Sequence, residues 1–393
     1  MPNKIKKYLR TTDFFFLLLC AGLSVVSVIT LASVVQYGAL PGGGVLGNHR
    51  VVHVQIFASV LGLAGAVVCS LLDTARLLKL WPYYEAVCWG LVLLTFIPGV
   101  GYAPQGTDSQ SWIAMPFGAS FQPTELAKIA FCLGFALHLQ TVHAKLHKIK
   151  TLLPVLLHLL LPVLLIHFQG DDGTAMVFFA MGVLMLFAAG LNRWVVISCV
   201  AAVAAVLPVL WRQVLSPYQR NRILGLFYPE LYADTTMYQQ LQGRSAISDG
   251  GLWGRGLFQP QHTYVPRAEN DFIFSYYAES AGFIGSLLLL ALLFAVMYKV
   301  LSVALKAPTL AEAYVCVGIF AALMAQALVN LGMNLMLLPV SGLTLPFVSA
   351  GGTSVLMLYL SIGLVLGVER HAKAGQRTLP PAASAEKENV NAD

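Results

Sequence analysis

FFFLLLCAGLSVVSVITLASVV, Phe14 to Val35, is 22 residues without a charge. That is long enough to cross a bilayer, whose hydrocarbon core needs roughly 20 apolar residues in helical form. Lys4, Lys6, Lys7 and Arg10 stand before it, and no small-residue cleavage site follows it. It therefore reads as a retained membrane helix and not as a removed signal peptide.

Nine further runs of this kind follow, near 52–72, 83–103, 123–142, 151–168, 174–191, 194–211, 272–298, 312–334 and 351–368. The composition agrees: 58% of the 393 residues are hydrophobic and 11% are charged, against about 25% charged in soluble domains. The expected fold is an all-α polytopic membrane protein of about ten transmembrane helices. The six cysteines, Cys20, Cys69, Cys88, Cys132, Cys199 and Cys316, all lie in apolar runs without paired spacing. They read as small buried hydrophobes, not as disulfides or a metal set.

Lys and Arg set the orientation. With the N-terminus inside, 16 of the 24 basic residues fall in inside segments and the short outside loops hold one, Arg50. Both termini are then cytoplasmic, and the long polar loop 213–270 lies outside between the seventh and eighth helices. The expected division is an N-terminal arm 1–13, a membrane domain 14–370 and a disordered tail 371–393, whose composition is polar. No repeat of fixed period is visible, and nothing in the pattern suggests nucleic acid.

Charge inside a membrane is costly and marks candidate sites. Gln122-Pro123-Thr124-Glu125-Leu126-Ala127-Lys128 opens the fourth span. Glu125 and Lys128 share a helix face three residues apart and can pair. They read either as a structural ion pair or as a polar wall on which Lys128 meets an anionic substrate. Asp171 and Asp172, in the turn 169–173, suit helix capping or a cation. The long loop holds Arg222, a Tyr238-Gln239-Gln240-Leu241-Gln242 segment and Ser245 to Gly256, rich in Gly; arginines there can grip phosphate. Asp271 stands where polar loop meets apolar span. It reads either as an N-cap or as a half-desolvated carboxylate with a raised pKa, fit to be a base. From Asn330 to Ser354 the breakers are too many for one helix. Irregular backbone at membrane depth must be buried or line a cavity, so this stretch reads as the wall of a polar site.

These residues resemble a known family. Ser109-Gln110-Ser111-Trp112-Ile113 and Gln122 to Lys128, the turn Gln169 to Ala175, the YQxxQ and DFIF elements of the loop, and the Asn330–Ser354 stretch are similar, in order and spacing, to motifs of the SEDS family of RodA and FtsW. The resemblance implies a peptidoglycan glycosyltransferase of the bacterial cytoplasmic membrane that polymerises lipid II. The donor would be the strand on undecaprenyl pyrophosphate. Asp271 matches the family's catalytic aspartate. The implied substrate-binding set is Lys128, Glu125, Trp112, Arg222, Gln242, Asp171 and Ser349. No metal ligand is assigned and a divalent cation is left open. The implied partner is a class B penicillin-binding protein, a transpeptidase with one membrane helix. The short arm and the Gln-Ser-Trp-Ile phrase lean toward the elongation branch; septal synthesis and lipid II flipping are the alternatives. The chain departs from the pattern at Gly170, Asp172, Asp249, Arg267 and Ser280, and Arg267 stands where the family has a glutamate.

Overall fold

The computed structural model describes residues 12–38, 47–103, 109–115, 120–192 and 210–376, with four isolated positions between 194 and 205. Nine of the ten apolar runs are helices among these residues. They are α1 (Phe14–Tyr37), α2 (Arg50–Leu71), α4 (Trp81–Leu94), α5 (Pro123–Val142), α6 (Ile149–Phe168), α7 (Asp172–Ala188), α10 (Ile273–Ala304), α11 (Leu310–Asn334) and α12 (Gly352–Gln376). Seven of them are long and apolar enough to cross a membrane. The tenth run, 194–211, lies largely outside the described residues, as do the arm 1–11 and the tail from 377. Helix α12 continues past the expected boundary at 370.

Helix ends follow the sequence chemistry. The Asp13 and Asp171 carboxylates accept from the N–H groups of Phe16 and Thr174 and cap α1 and α7. Pro123 opens α5, where its missing N–H costs nothing. Helix α4 stops at Leu94, earlier than the run to 103 suggested, because Pro98 and Gly99 follow. The chain then forms a three-stranded antiparallel sheet of β1 (Gly101–Tyr102), β2 (Trp112–Ala114) and β3 (Ser120–Phe121), with Tyr102 opposite Trp112. A six-residue helix, α3 (Thr74–Lys79), joins α2 to α4.

In lipid, close backbone approach replaces hydrophobic collapse as the source of helix pairing. Helices α2 and α12 use it most. A Cβ added at Gly62 would sit 2.7 Å from the Tyr359 ring, and one at Gly363 2.6 Å from the Ala66 carbonyl. Leu18, Leu153, Leu157, Leu288 and Phe294 are exposed and form the apolar outer belt.

The segment expected as a polar loop is folded. It carries α8 (Pro217–Phe227) and α9 (Tyr238–Gly250). Ser216 and Gln219 form a reciprocal capping box at the start of α8. Helix α10 kinks at Gly282, where φ is +69°. There the loop after α9 enters the helix ladder. The N–H groups of Phe283 and Ile284 donate to Gly251 and Leu252, while Arg255 and Gly256 donate to the carbonyls of Glu279 and Ser280. Two N–H groups and two carbonyls beside the kink thus find partners in the loop, as burial demands. By the charge bias, this end of the bundle is the outer one.

Candidate active site

Asp271 lies two residues before α10 and is 8% exposed. It is not the helix cap: Phe272 holds that position and no side chain caps it. Its placement comes from the backbone. The amides of Asn330 and Asn334, one turn apart on α11, both donate to the Asp271 carbonyl, at 2.9 and 3.0 Å. The Asn334 side-chain oxygen accepts from the N–H and hydroxyl of Ser275. A turn precedes it, in which Asn270 and Phe272 donate to the Arg267 carbonyl. Arg267 has φ +55°, a conformation unfavourable to a side chain and typical of functional turns.

The segment between α11 and α12 backs this turn. The Ser349 hydroxyl donates to the Asn270 carbonyl at 2.7 Å, and Ala350 N–H donates to Glu269. Ser27 of α1 donates to Val348, and the Gln55 amide of α2 bonds Ser27, Ser349 and Gly351. Three membrane helices therefore support one carboxylate-bearing turn.

Burial pushes the Asp271 carboxyl up to about 6, with Glu269 adding to the effect and Arg267 and Arg222 opposing it. Such a group is ionised at neutral pH but still basic, which suits proton transfer. Arg222 on α8 donates to the Val340 carbonyl at 2.9 Å and to the Tyr218 hydroxyl at 2.6 Å. Its cationic plane thus faces the same outer region as the broken segment.

A second polar group lies on α5. Lys128 and Glu125 pair at 2.8 Å and both are buried. They line a cavity of about 20 Å³, room for about one water. Two atoms on its wall, Glu125 Oε2 and Gln326 Oε1, have no hydrogen-bond partner. Asp171 belongs with this group. It accepts from Gln122 at 3.0 Å, and burial raises its pKa, with Glu125 adding to the rise and Thr174 and Lys128 opposing it.

The residues expected to act together thus form two groups. Asp271, Arg222 and Ser349 converge, with Arg267 and Glu269; Lys128, Glu125 and Asp171 converge separately. Gln326 lies one turn before Asn330 on α11, so one helix face serves both. Trp112 sits half-buried in the outer sheet. That sheet reaches the first turn of α12, where Thr353 donates to the Ser120 carbonyl. Gln242 is half-buried on α9, but its neighbour Gln240 carries the visible interactions, donating to Met333 and Leu338. Asn330, Asn334 and Gln55 were not among the expected site residues. Their signal was amide side chains inside apolar runs. Among the described residues no three His, Cys, Asp or Glu side chains gather so as to hold a metal ion.

Residues 10–374 match the family model described as cell cycle protein, of FtsW, RodA and SpoVE. The chain is 34% identical over 325 residues to a probable peptidoglycan glycosyltransferase FtsW of Geobacter metallireducens, covering 80% of this chain and 84% of the relative. It is 33% identical to the peptidoglycan glycosyltransferase MrdB of Escherichia coli, covering 74% and 78%. Among solved structures it resembles a chain of a peptidoglycan synthase complex that coordinates polymerization and crosslinking. The TM-score there is 0.76 at 28% identity, covering 92% of this chain and 98% of that one. RodA of Thermus thermophilus gives 0.62 at 27% identity, covering 92% and 97%.

Proposed function

The chain belongs to the FtsW, RodA and SpoVE family of cell cycle proteins, and on that footing we propose that it is a peptidoglycan glycosyltransferase polymerising lipid II for side-wall elongation. It is a multi-pass protein of the bacterial inner membrane. The observation that carries the reading is Asp271, a buried carboxyl with a raised pKa, held by its own carbonyl at the outer end of α10.

In the proposed reaction the acceptor is a sugar hydroxyl of lipid II and the donor is the strand on undecaprenyl pyrophosphate. The hydroxyl oxygen attacks the anomeric carbon while Asp271 takes its proton. The bond from that carbon to the pyrophosphate oxygen breaks, and its electron pair leaves with the diphosphate. A positioned base contributes typically 10²–10⁴-fold. Arg222, whose charge already acts on Asp271, takes up part of the diphosphate charge, and preorganised charge of this kind is often the largest catalytic factor. Lys128, held by Glu125 about 8 Å along α5 from its outer end, supplies a further positive charge. Asp171, Trp112, Gln242 and Ser349 shape the site around the sugars. The partner is a transpeptidase with one membrane helix, which fits the likeness to a peptidoglycan synthase complex.

A gel assay of lipid II polymerisation with purified protein and its transpeptidase tests this. Asp271→Asn is expected to remain folded and to form no polymer; full activity in that variant would end the assignment. Movement of lipid II between leaflets without polymer would favour a flippase. Depletion in cells separates the two branches: rounded cells follow loss of elongation, and filaments loss of division.

A further inference from the structure

At the end of the bundle opposite Asp271, a cavity of about 210 Å³ opens between the last turns of α2 and α12 and the start of α3. One water needs only about 10–15 Å³, so the space admits a small molecule. Helix α2 has 22 residues and spans about 33 Å, close to the hydrocarbon thickness of about 30 Å. The cavity therefore lies at the level of lipid headgroups.

Its walls carry one cation, Arg370, and one anion, Asp73, on different helices. Arg370 and His371 line it from α12, and Asp73 and Thr74 from the start of α3. Behind this wall a buried carboxylate is held by hydrogen bonds. Glu312, 1% exposed, accepts from Thr74, Thr309 and His371. Arg370 is oriented by donation to the Ser70 carbonyl. Asp73 caps α3 through the Ala75 N–H and faces Arg76 at 3.2 Å, with half its surface still open to solvent. The C-terminal end of α2, beside Asp73, adds partial negative charge, which favours a cation on that side. Beside the opening, Leu71 and Leu72 are exposed by 55% and 45%, an apolar ledge next to a polar cup.

We propose that this cavity binds a zwitterionic phosphoamine, its phosphate against Arg370 and His371 and its ammonium against Asp73. The ledge of Leu71 and Leu72 matches the acyl chains of a phospholipid whose headgroup is phosphoethanolamine; free phosphoethanolamine shares the chemistry. Assignment to the inner leaflet rests on the orientation that places the termini inside. Helices α2 and α12 run from this cup to the outer site, where Gln55 bonds Ser349 and Gly351.

Native mass spectrometry of the detergent-solubilised full chain with dioleoyl phosphatidylethanolamine or dioleoyl phosphatidylcholine tests the proposal. The wild type is expected to retain one phosphatidylethanolamine, about tenfold over phosphatidylcholine, because a trimethylated nitrogen offers Asp73 no N–H. Asp73→Asn removes that preference, and Arg370→Gln lowers retention of both lipids about tenfold. Ala374→Trp blocks the rim from the half-buried last turn of α12 and removes retention even if Arg370→Gln fails to fold. Equal retention of the two lipids by the wild type, or undiminished retention by Ala374→Trp, overturns the site. Displacement by soluble phosphoethanolamine at the lipid's concentration identifies the free amine as the ligand, and resistance identifies the lipid. Ala374→Cys should react with an impermeant maleimide only in inside-out vesicles; reaction from the other face overturns the inner-leaflet assignment. None of these readouts involves polymerisation, so they are independent of the Asp271 chemistry.

Discussion

Replacing Asp271 by Asn is expected to abolish polymerisation and at the same time stabilise the fold. Folding moves the Asp271 carboxyl from an ordinary 3.8 to about 6. Each pKa unit corresponds to about 1.4 kcal/mol, so holding the ionised form in place costs the folded state about 3 kcal/mol. The opposing pull of Arg222 and Arg267 is already contained in that net shift. The sign follows from proton linkage. Between pH 4 and 6 the folded state keeps a proton that the unfolded state has lost, so wild-type stability falls as pH rises through this window and stays low above it. An amide of the same shape has no charge to desolvate. The variant should therefore match the wild type near pH 4 and exceed it by about 3 kcal/mol at pH 8, a few degrees in unfolding temperature for a chain of this length. Thermal unfolding of both proteins in the same detergent, at pH 4 and pH 8, reads the difference directly. A variant no more stable at pH 8, or a gap independent of pH, would refute the claim that Asp271 is held desolvated.

Arg222→Ala should lower polymerisation about 10–100-fold with the protein still folded, and Arg222→Lys should restore part of it, since a lysine keeps the charge but not the planar fork. Glu125→Gln leaves Lys128 buried without its counter-charge and should cost about 3–5 kcal/mol in thermal or denaturant unfolding. The double change Glu125→Leu with Lys128→Met should recover most of that stability; if it stays inactive, Lys128 acts on substrate and not merely as a strut. Asn334→Ala deprives the Asp271 carbonyl of one amide and Ser275 of its acceptor. It should destabilise by about 1–3 kcal/mol and reduce polymerisation.

Much of this architecture was legible because the bilayer imposes a length. Apolar runs of about 20 residues became helices at the expected places; of the breaker-rich stretch Asn330 to Ser354, residues 335–351 became irregular backbone held between helices, while its two ends belong to α11 and α12. The fold of 213–270 was harder to see. Helix α8 has polar residues on several faces and is recognisable only from Ser216, Pro217 and Gln219 at its start, a short signal beside long apolar runs. The site was legible where it bears charge, at Asp271, Arg222, Glu125 and Lys128. Its supports were not, because Asn330, Asn334, Gln55 and Ser27 act through carbonyls far away in sequence. Sequence spacing says nothing of such pairings. Likewise the positive φ of Arg267 follows from the turn that delivers Asp271, and no residue type announces it.

The most direct test of the central claim is the pH dependence of lipid II polymerisation under subsaturating substrate, by the purified wild type with its transpeptidase. A base at Asp271 predicts a rate that falls tenfold per unit below about pH 6 and levels off above it. A rate flat from pH 4.5 to 8 would show that no group titrating like Asp271 takes the proton.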